Sequence, residues 1–265
     1  MRRNKLDQLL RDRASRHSTV RYSATACGIR QDAQAFSITV TSAEGQSQEE
    51  RCRFVILATG ARNQLSRRLG LSGNAINAPS LTTYRMRRNE PDFGLRFLFD
   101  KSLRPGYSWE FDADSDTVNI GVCALAGLPG HEIKKRSLAA AAIWPSLPNS
   151  VWRGGSIPLW SGEGVTWHSD AGLVSCGDAA GIADPLTAEG IGPALETGIW
   201  AGNCARNYVN GDGRSDLEQY SERIRQRFTT RYSQKHERSL LKLLSGTRNT
   251  SSIGQQATGA GPTMN

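Results

Sequence analysis

The order of segments predicts a mixed α/β fold with an antiparallel sheet set into its middle. Three observations predict it. Two apolar stretches without alternation, Phe54 to Leu57 and Leu173 to Cys176, run straight into glycine turns, as buried parallel strands do. Between them, from about Pro79 to Trp160, short strand-like runs are broken by Pro-Gly and Asp-Ser-Asp turns, the pattern of a meander. Helix-period segments lie at both ends of the chain, Arg2 to Arg16 and Ile191 to Val209.

Taken in order, Arg2 to Arg16 is a helix whose Leu6, Leu9 and Leu10 form one apolar stripe. Val20 to Ile29 and Phe36 to Thr41 are strands separated by the polar turn Arg30 to Gln34, and Ser42 to Gly45 is a second turn. Arg51 to Leu57 is a further strand that ends in Ala58-Thr59-Gly60-Ala61. In the middle, Leu95 to Phe99, Tyr107 to Phe111 and Val118 to Ala124 are strands, and Glu132 to Trp144 is a helix stopped by Pro145. Leu173 to Cys176 leads into a glycine-rich segment and then a helix, and Leu217 to Leu244 reads as one or two basic helices. Beyond Gly246 the Ser, Thr, Gly, Gln and Asn content predicts disorder. There is no internal repeat.

A chain of 265 residues with 38% apolar content has room for a sizeable core, and its 33 basic and 25 acidic residues, net +8, are too mixed for a disordered polyelectrolyte. Arginines spread from Arg2 to Arg248 and a 7% aromatic content argue against a nucleic-acid surface. The five cysteines, at positions 27, 52, 123, 176 and 204, form no CxxC pair and have no metal-type spacing, so neither a zinc site nor a disulfide framework is expected. A reducing, cytoplasmic setting follows. No secretory signal follows Met1, and the longest aliphatic run, Leu138 to Trp144, falls far short of the ~20 residues that cross a bilayer.

The chemistry concentrates in residues 173–192. A strand ends at Gly177, Asp178 follows at once, and Gly190 opens a helix whose first turn carries no bulky polar side chain. Such a helix start offers unpaired N–H groups and the positive end of a dipole. Asp178 can accept hydrogen bonds from sugar-like hydroxyls but would repel a bare phosphate, so a ribityl chain or ribose beside the helix meets both demands.

Gly177 to Ile191 resembles, almost letter for letter, the segment GDAAGxxDPLTxEGI of flavoproteins with the para-hydroxybenzoate hydroxylase fold, most closely the geranylgeranyl reductase family. The resemblance implies an FAD/NAD(P)-binding three-layer domain with an inserted antiparallel substrate sheet. It implies that Gly177 and Asp178 meet the ribityl and pyrophosphate region of FAD, and that Pro185 lies along the isoalloxazine ring. Backbone N–H groups around Gly190, Ile191 and Gly192 would face the pyrimidine edge of the ring, where reduction places negative charge. Arg3, with Leu6, Asp7 and Leu10, resembles the family's RxxFDxxL helix, whose arginine contacts the cofactor's phosphates. Ala58 to Ala61 with Ser66, Arg67 and Arg68 resembles GADGxxSxxR, with Thr59 in place of the acid and the Gly60 turn kept. Ala24 to Ala26 would give adenine a backbone contact through Ala26.

Pro105 to Phe111, followed by Val118 to Val122, resembles the family's PxxYxWxFP segment and its NVG sequel. Tyr107, Trp109 and Phe111 alternate along a strand and so share one face, an apolar surface suited to an isoprenoid chain or a flat ring. Asp112 stands where the family has proline.

No GxGxxG follows a strand anywhere in the sequence. Only two residues precede Arg3, so the resemblance is to a family member without its first βαβ unit. The expected division is a discontinuous FAD domain over 1–78 and 165–212, a substrate domain over 79–164, helices over 213–245 and a tail over 246–265. The expected function is FAD-dependent reduction of C=C bonds in an isoprenoid or other apolar substrate, with NAD(P)H or another reductant as electron donor. Two alternatives stand beside it: a monooxygenase or halogenase of the same fold, although the halogenase motif WxWxIP is absent, and a non-catalytic remnant that cannot retain FAD. The basic segment 217–244 could rest on an anionic membrane or lie as a solvated helix over the first domain. No catalytic residue and no metal ligand is assigned.

Overall fold

The computed structural model describes residues 2–32, 35–61, 65, 69, 76–86, 94–99, 106–124, 132, 152–162, 167–211 and 213–244. Chain order begins with α1 (Arg3–Ser15), β1 (Ala24–Gln31), β2 (Phe36–Ser42), β3 (Ser47–Cys52) and β4 (Val55–Leu57). The middle holds β5 (Ile76–Met86), β6 (Leu95–Leu98), β7 (Gly106–Asp112), β8 (Thr117–Ala124) and β9 (Arg153–Leu159). The chain then passes through β10 (His168–Ser169), β11 (Leu173–Ser175), a 3-10 turn (Gly177–Ala180), α2 (Ile191–Asn210) and α3 (Arg214–Leu244).

These strands make three sheets. β1, β2 and β3 form an antiparallel meander, β4 pairs in parallel with β11 while β10 adds antiparallel, and β6-β7-β8-β5-β9 is a five-stranded antiparallel sheet. The central pair is the one read from unbroken apolar runs. Val55 and Leu57 pack with Phe36, Leu65 and Leu173 on one side. On the other, Val174 joins a larger core with Trp160, Trp167, Ile182, Ala201, Leu217, Ile224 and Phe228. α2 reaches that core with Thr197, Ala201 and Cys204, at helical spacing, while Trp160 and Trp167 stack at 5.4 Å.

Several expectations are corrected. Arg51 to Leu57 is not one strand: the chain leaves β3 at Cys52, passes Arg53 and Phe54, and starts β4 in another sheet. The β1 strand runs from Ala24 to Gln31, not from Val20 to Ile29, and includes two residues read as a turn. β5 and β9 gave no periodic signal. Pro79 interrupts the first, and two glycines and Pro158 dilute the second, yet they pair over seven positions from Ile76↔Leu159 to Thr82↔Arg153. Gly154 is used there for space, since a Cβ on it would lie 2.7 Å from the Leu81 side chain. Residues 214–244 form a single helix. Its first basic residues are engaged locally: Arg223 lies 4.3 Å from the centre of the Trp200 ring, and Arg225, Arg227 and Arg231 pair with Glu222, Glu196 and Glu189. That favours a helix lying over the protein's own surface rather than a cationic face held out for lipid. The expected helix over Glu132 to Trp144 lies outside the described residues apart from Glu132, and so does the tail beyond 246. Among the described residues no helix is long and apolar enough to cross a membrane.

Two local devices hold the five-stranded sheet in shape. Trp109 on β7 lies flat across β8, its indole N–H donating to Asn119 Oδ1 at 2.8 Å, and a Cβ on Gly121 would sit 1.9 Å from the ring. At the β7–β8 turn, Asp114 accepts from Arg2 Nε at 2.6 Å, from the Thr117 hydroxyl at 2.7 Å and from the Asp116 amide, which ties the start of α1 to the sheet.

Replacing Gly121 by alanine forces the Trp109 ring off β8 and is expected to cost about 1–3 kcal/mol of stability in denaturant unfolding. A change below about 0.5 kcal/mol would show that the ring is not seated there. The Thr117 and Arg2 contacts hold the Asp114 carboxyl well below the usual carboxylate range, so its contribution is present above the unfolded value of about 4 and is lost as pH falls through the lower folded value. Acidification should therefore release α1, read as lost helical ellipticity. Asp114→Asn should release it at neutral pH.

Candidate functional site

β4 and β11 are in parallel register, Val55 beside Leu173 and Leu57 beside Ser175, so their carboxyl ends open on the same side. The Cys176 amide still donates to the Leu57 carbonyl at 3.1 Å, and then both chains turn, at Gly60 with φ +68° and at Gly177 with φ +60°. The crevice beyond the carboxyl ends of parallel strands is where ligands bind in α/β folds. Gly177 is required twice over: its φ is left-handed, and a Cβ would come within 3.2 Å of Ala194 on α2. Its amide donates to Thr197 Oγ1 at 3.1 Å, and that hydroxyl in turn donates to the Pro193 carbonyl at 2.8 Å, which seats the turn on the first turns of α2.

Asp178 follows, half-buried. Among the described residues no hydrogen bond reaches its carboxylate. Burial pushes its pKa up, opposed by the positive charge of Arg3. Gly190 lies against it, since a Cβ there would be 3.2 Å from Asp178 Oδ1. The structure thus brings Arg3, Gly177, Asp178 and Gly190 together, although Arg3 itself pairs with Asp7 at 2.8 Å and is mostly exposed.

Residues 184–189 form a tight turn organised by a buried carboxylate. Asp184 Oδ1 accepts from the Leu186 and Thr187 amides at 2.9 and 3.2 Å, the Ala188 amide donates to the Asp184 carbonyl, and Ala188 is held at φ +52°. Pro185 rides on this turn. The turn is also joined to the large sheet, where Trp160 donates to the Ala183 carbonyl and Ala183 to the Pro158 carbonyl. At its end Glu189 accepts from the Gly192 amide at 2.6 Å and lies 3.6 Å from Arg231. This modifies the expectation for the start of α2: the Gly192 N–H is occupied by a carboxylate of the chain, a capping contact invisible in motif spacing.

The aromatic residues of β7 face one way, as alternation requires. Ring centres of Tyr107 and Trp109 are 5.9 Å apart and those of Trp109 and Phe111 6.1 Å, and Phe97 of β6 touches Tyr107 and Phe111 at 5.7 and 5.2 Å. Leu95, Phe97 and Phe99 beside them stay exposed, Phe99 by 62%. Tyr107 is the buried end of this face. Its hydroxyl donates to the carbonyl of Thr187, in the turn that carries Pro185. Burial above all, then Cys123 and the Asp184 charge, push the phenol far above its ordinary value, so it stays a donor at any working pH.

Two predicted residues stand apart. Ala26 lies on exposed β1 in the three-stranded meander, paired with Val40, and Thr59 is exposed beside the Gly60 turn. Ser66, Arg67, Arg68 and Pro105 lie outside the described residues. Motif matching passed over Thr197, Thr187, Glu189, Arg231 and Asp184 as actors; the acid–Pro–Leu–Thr order of 184–187 was the one available sign of an Asx-type turn. Among the described residues no cluster of His, Cys, Asp and Glu could hold a metal ion.

A half-buried carboxylate whose burial outweighs the nearby Arg3 charge destabilises the charged folded form. Its folded pKa is raised, so stability is greater at low pH and falls as pH rises through that value. Asp178→Asn is therefore expected to raise Tm at pH 7, with the gain shrinking toward pH 4. A Tm unchanged or lower at pH 7 would mean that the carboxylate has a partner.

No protein-family model matches the chain. Among curated proteins it is 26% identical over 245 residues to a digeranylgeranylglycerophospholipid reductase of Methanococcus vannielii, covering 89% of this chain and 60% of that protein. It is 30% identical over 193 residues to a menaquinone reductase of Mycobacterium tuberculosis, covering 66% and 46%. The chain thus spans about half to three fifths of the length of these relatives. Among solved structures, a geranylgeranyl bacteriochlorophyll reductase-like protein of Thermoplasma acidophilum superposes with TM-score 0.74 at 20% identity, over 85% of this chain and 59% of that one. The flavin-dependent halogenase CmlS superposes with TM-score 0.71 at 22% identity, over 94% and 48%. The chain is thus similar in sequence to reductases of the geranylgeranyl type and shares its fold with these flavoproteins.

Proposed function

We propose that the chain holds FAD along residues 177–192 and works as an oxidoreductase that saturates C=C bonds of an isoprenoid or other apolar substrate, with NAD(P)H or another reductant as donor. The observation that carries this reading is the Asp178 carboxylate: half-buried, reached by no hydrogen bond among the described residues, and lying against Gly190, whose missing side chain leaves it uncrowded. A polyhydroxyl chain supplies the donors it lacks. The space beside Gly60, where a Cβ would meet nothing within 4 Å, suits the same group, and Arg3 supplies positive charge nearby. These residues fit the ribityl part of FAD. When bound, the flavin supplies the hydride. Pro185 and the Asp184-stapled turn would support its ring, and the start of α2 would meet the pyrimidine edge once Glu189 yields the Gly192 amide.

The substrate side is the face of Tyr107, Trp109 and Phe111, continued by Leu95, Phe97 and Phe99. It offers ring faces and aliphatic surface with few polar atoms, which suits a polyprenyl chain better than a polar metabolite. The names of the two curated reductases, one for a digeranylgeranylglycerophospholipid and one for menaquinone, support an apolar lipid or quinone substrate. On this reading residues 1–78 and 165–212 serve the cofactor and 79–164 the substrate, with β5 starting three residues before that boundary. The likeness to CmlS favours a second reading, oxygen- or halide-dependent chemistry on the same fold.

Titration of the purified chain with FAD, followed by flavin fluorescence and visible absorption, tests the proposal. Saturable binding is expected, weakened about tenfold or more by Asp178→Ala. A chain that takes up no flavin is a non-catalytic remnant. With flavin bound, anaerobic turnover of a polyprenyl substrate to a product heavier by one hydrogen molecule per bond supports the reductase. Turnover that requires oxygen or halide supports the second reading.

A further inference from the structure

We infer that the Tyr107 hydroxyl is a positioning group: it latches the 184–189 turn to the aromatic sheet face and so sets the gap between them. This rests on the proposed function for its meaning in catalysis, but its geometry does not. The turn is internally rigid, with Asp184 holding the Leu186 and Thr187 amides and Ala188 pinned at a left-handed φ. Its entry is tied to β9 through Ala183. Beyond Asp184, Ala188 packs on Ala78 and Leu159, and among the described residues the one hydrogen bond from the five-stranded sheet to residues 185–189 is Tyr107 to the Thr187 carbonyl. Tyr107 is also the first rung of the face that continues through Trp109 and Phe111. One side chain therefore belongs to both surfaces, its ring to the apolar face and its oxygen to the turn.

Two consequences follow from the chemistry of the phenol. It is buried and fully protonated, so the latch does not open with pH in the physiological range. Its single proton is committed to a backbone carbonyl, so Tyr107 is not the proton source for a reduced substrate. That role falls to water or to another group.

The test compares Tyr107→Phe with Tyr107→Leu in the flavin-free chain, by hydrogen exchange and thermal unfolding. Phenylalanine keeps the ring and loses the hydroxyl's bond to the Thr187 carbonyl together with its contact to Cys123. It should lower Tm by no more than about 4 °C, leave the β7–β8 ladder amides protected, and speed exchange of the Asp184 and Ala188 amides by about tenfold. Leucine should do the same to the turn and in addition loosen the β7–β8 ladder. If phenylalanine retains wild-type protection of the turn, the hydroxyl positions nothing and the inference falls. If it loosens turn and sheet together, Tyr107 is a packing residue and the inference falls likewise. Should the wild-type chain bind no flavin, the proposed function fails while this exchange experiment still decides the latch. Should it bind and turn over, tenfold loss in kcat with little change in FAD affinity is expected for Tyr107→Phe.

Discussion

The rest of the molecule is arranged around one stretch of backbone, residues 175–189, buried over 175–184 apart from half-buried Asp178, which after Ser175 forms no strand and only the short 3-10 turn Gly177–Ala180. A buried carbonyl without a donor is costly, and here the donors come from aromatic side chains. Tyr220 donates to the Ser175 carbonyl at 2.7 Å, Trp167 to that of Ala180 at 3.1 Å, Tyr232 to that of Ile182 at 3.0 Å, and Tyr107 to that of Thr187. Each of these rings is buried in apolar surroundings while its polar atom meets the chain. The ring drives burial and the N–H or O–H directs it.

This arrangement explains why α3 is long and why its apolar residues recur as they do. Leu217, Tyr220, Ile224, Phe228 and Tyr232 lie on one face, at spacings of three and four, and two of the five are the donors just named. The helix is a brace laid along the back of the glycine-rich segment. Four of its arginines, Arg223, Arg225, Arg227 and Arg231, which in sequence suggest an anionic partner, engage Trp200, Glu222, Glu196 and Glu189. Exposed ion pairs of this kind contribute little energy each, about 0–1 kcal/mol, but they orient the helix. The Arg231–Glu189 pair also reaches the start of α2.

Function follows from the same economy. Backbone groups that the aromatic donors satisfy are unavailable to a ligand, whereas the Asp178 carboxylate is left unsatisfied on the open side. The carbonyls of Ser175, Ala180, Ile182 and Thr187 are paired, whereas among the described residues no hydrogen bond reaches the Asp178 carboxylate. That contrast, together with the apolar sheet face that Tyr107 begins, is what the proposed flavin site rests on.

Much of this was legible in the sequence. The unbroken apolar runs before Gly60 and Gly177 identified the two central strands, because a parallel strand buried on both faces has no polar phase. The glycine, acid and proline order of 177–192 marked the turns on which the proposed site is built, because left-handed turns and close approaches demand those residues. Alternation placed Tyr107, Trp109 and Phe111 on one face. What the sequence could not supply were partners distant along the chain. β5 and β9 have no period of their own and become strands only by pairing with each other and with β8. Asp114 and Arg2, Tyr107 and Thr187, and Tyr232 and Ile182 are joined across 50 to 112 residues. Local pattern reflects the geometry of a residue's own helix or strand, so it determined which elements form and which face is apolar. Only the tertiary structure, by deciding which donors meet which acceptors, left the Asp178 carboxylate without a hydrogen bond among the described residues and occupied the Gly192 amide.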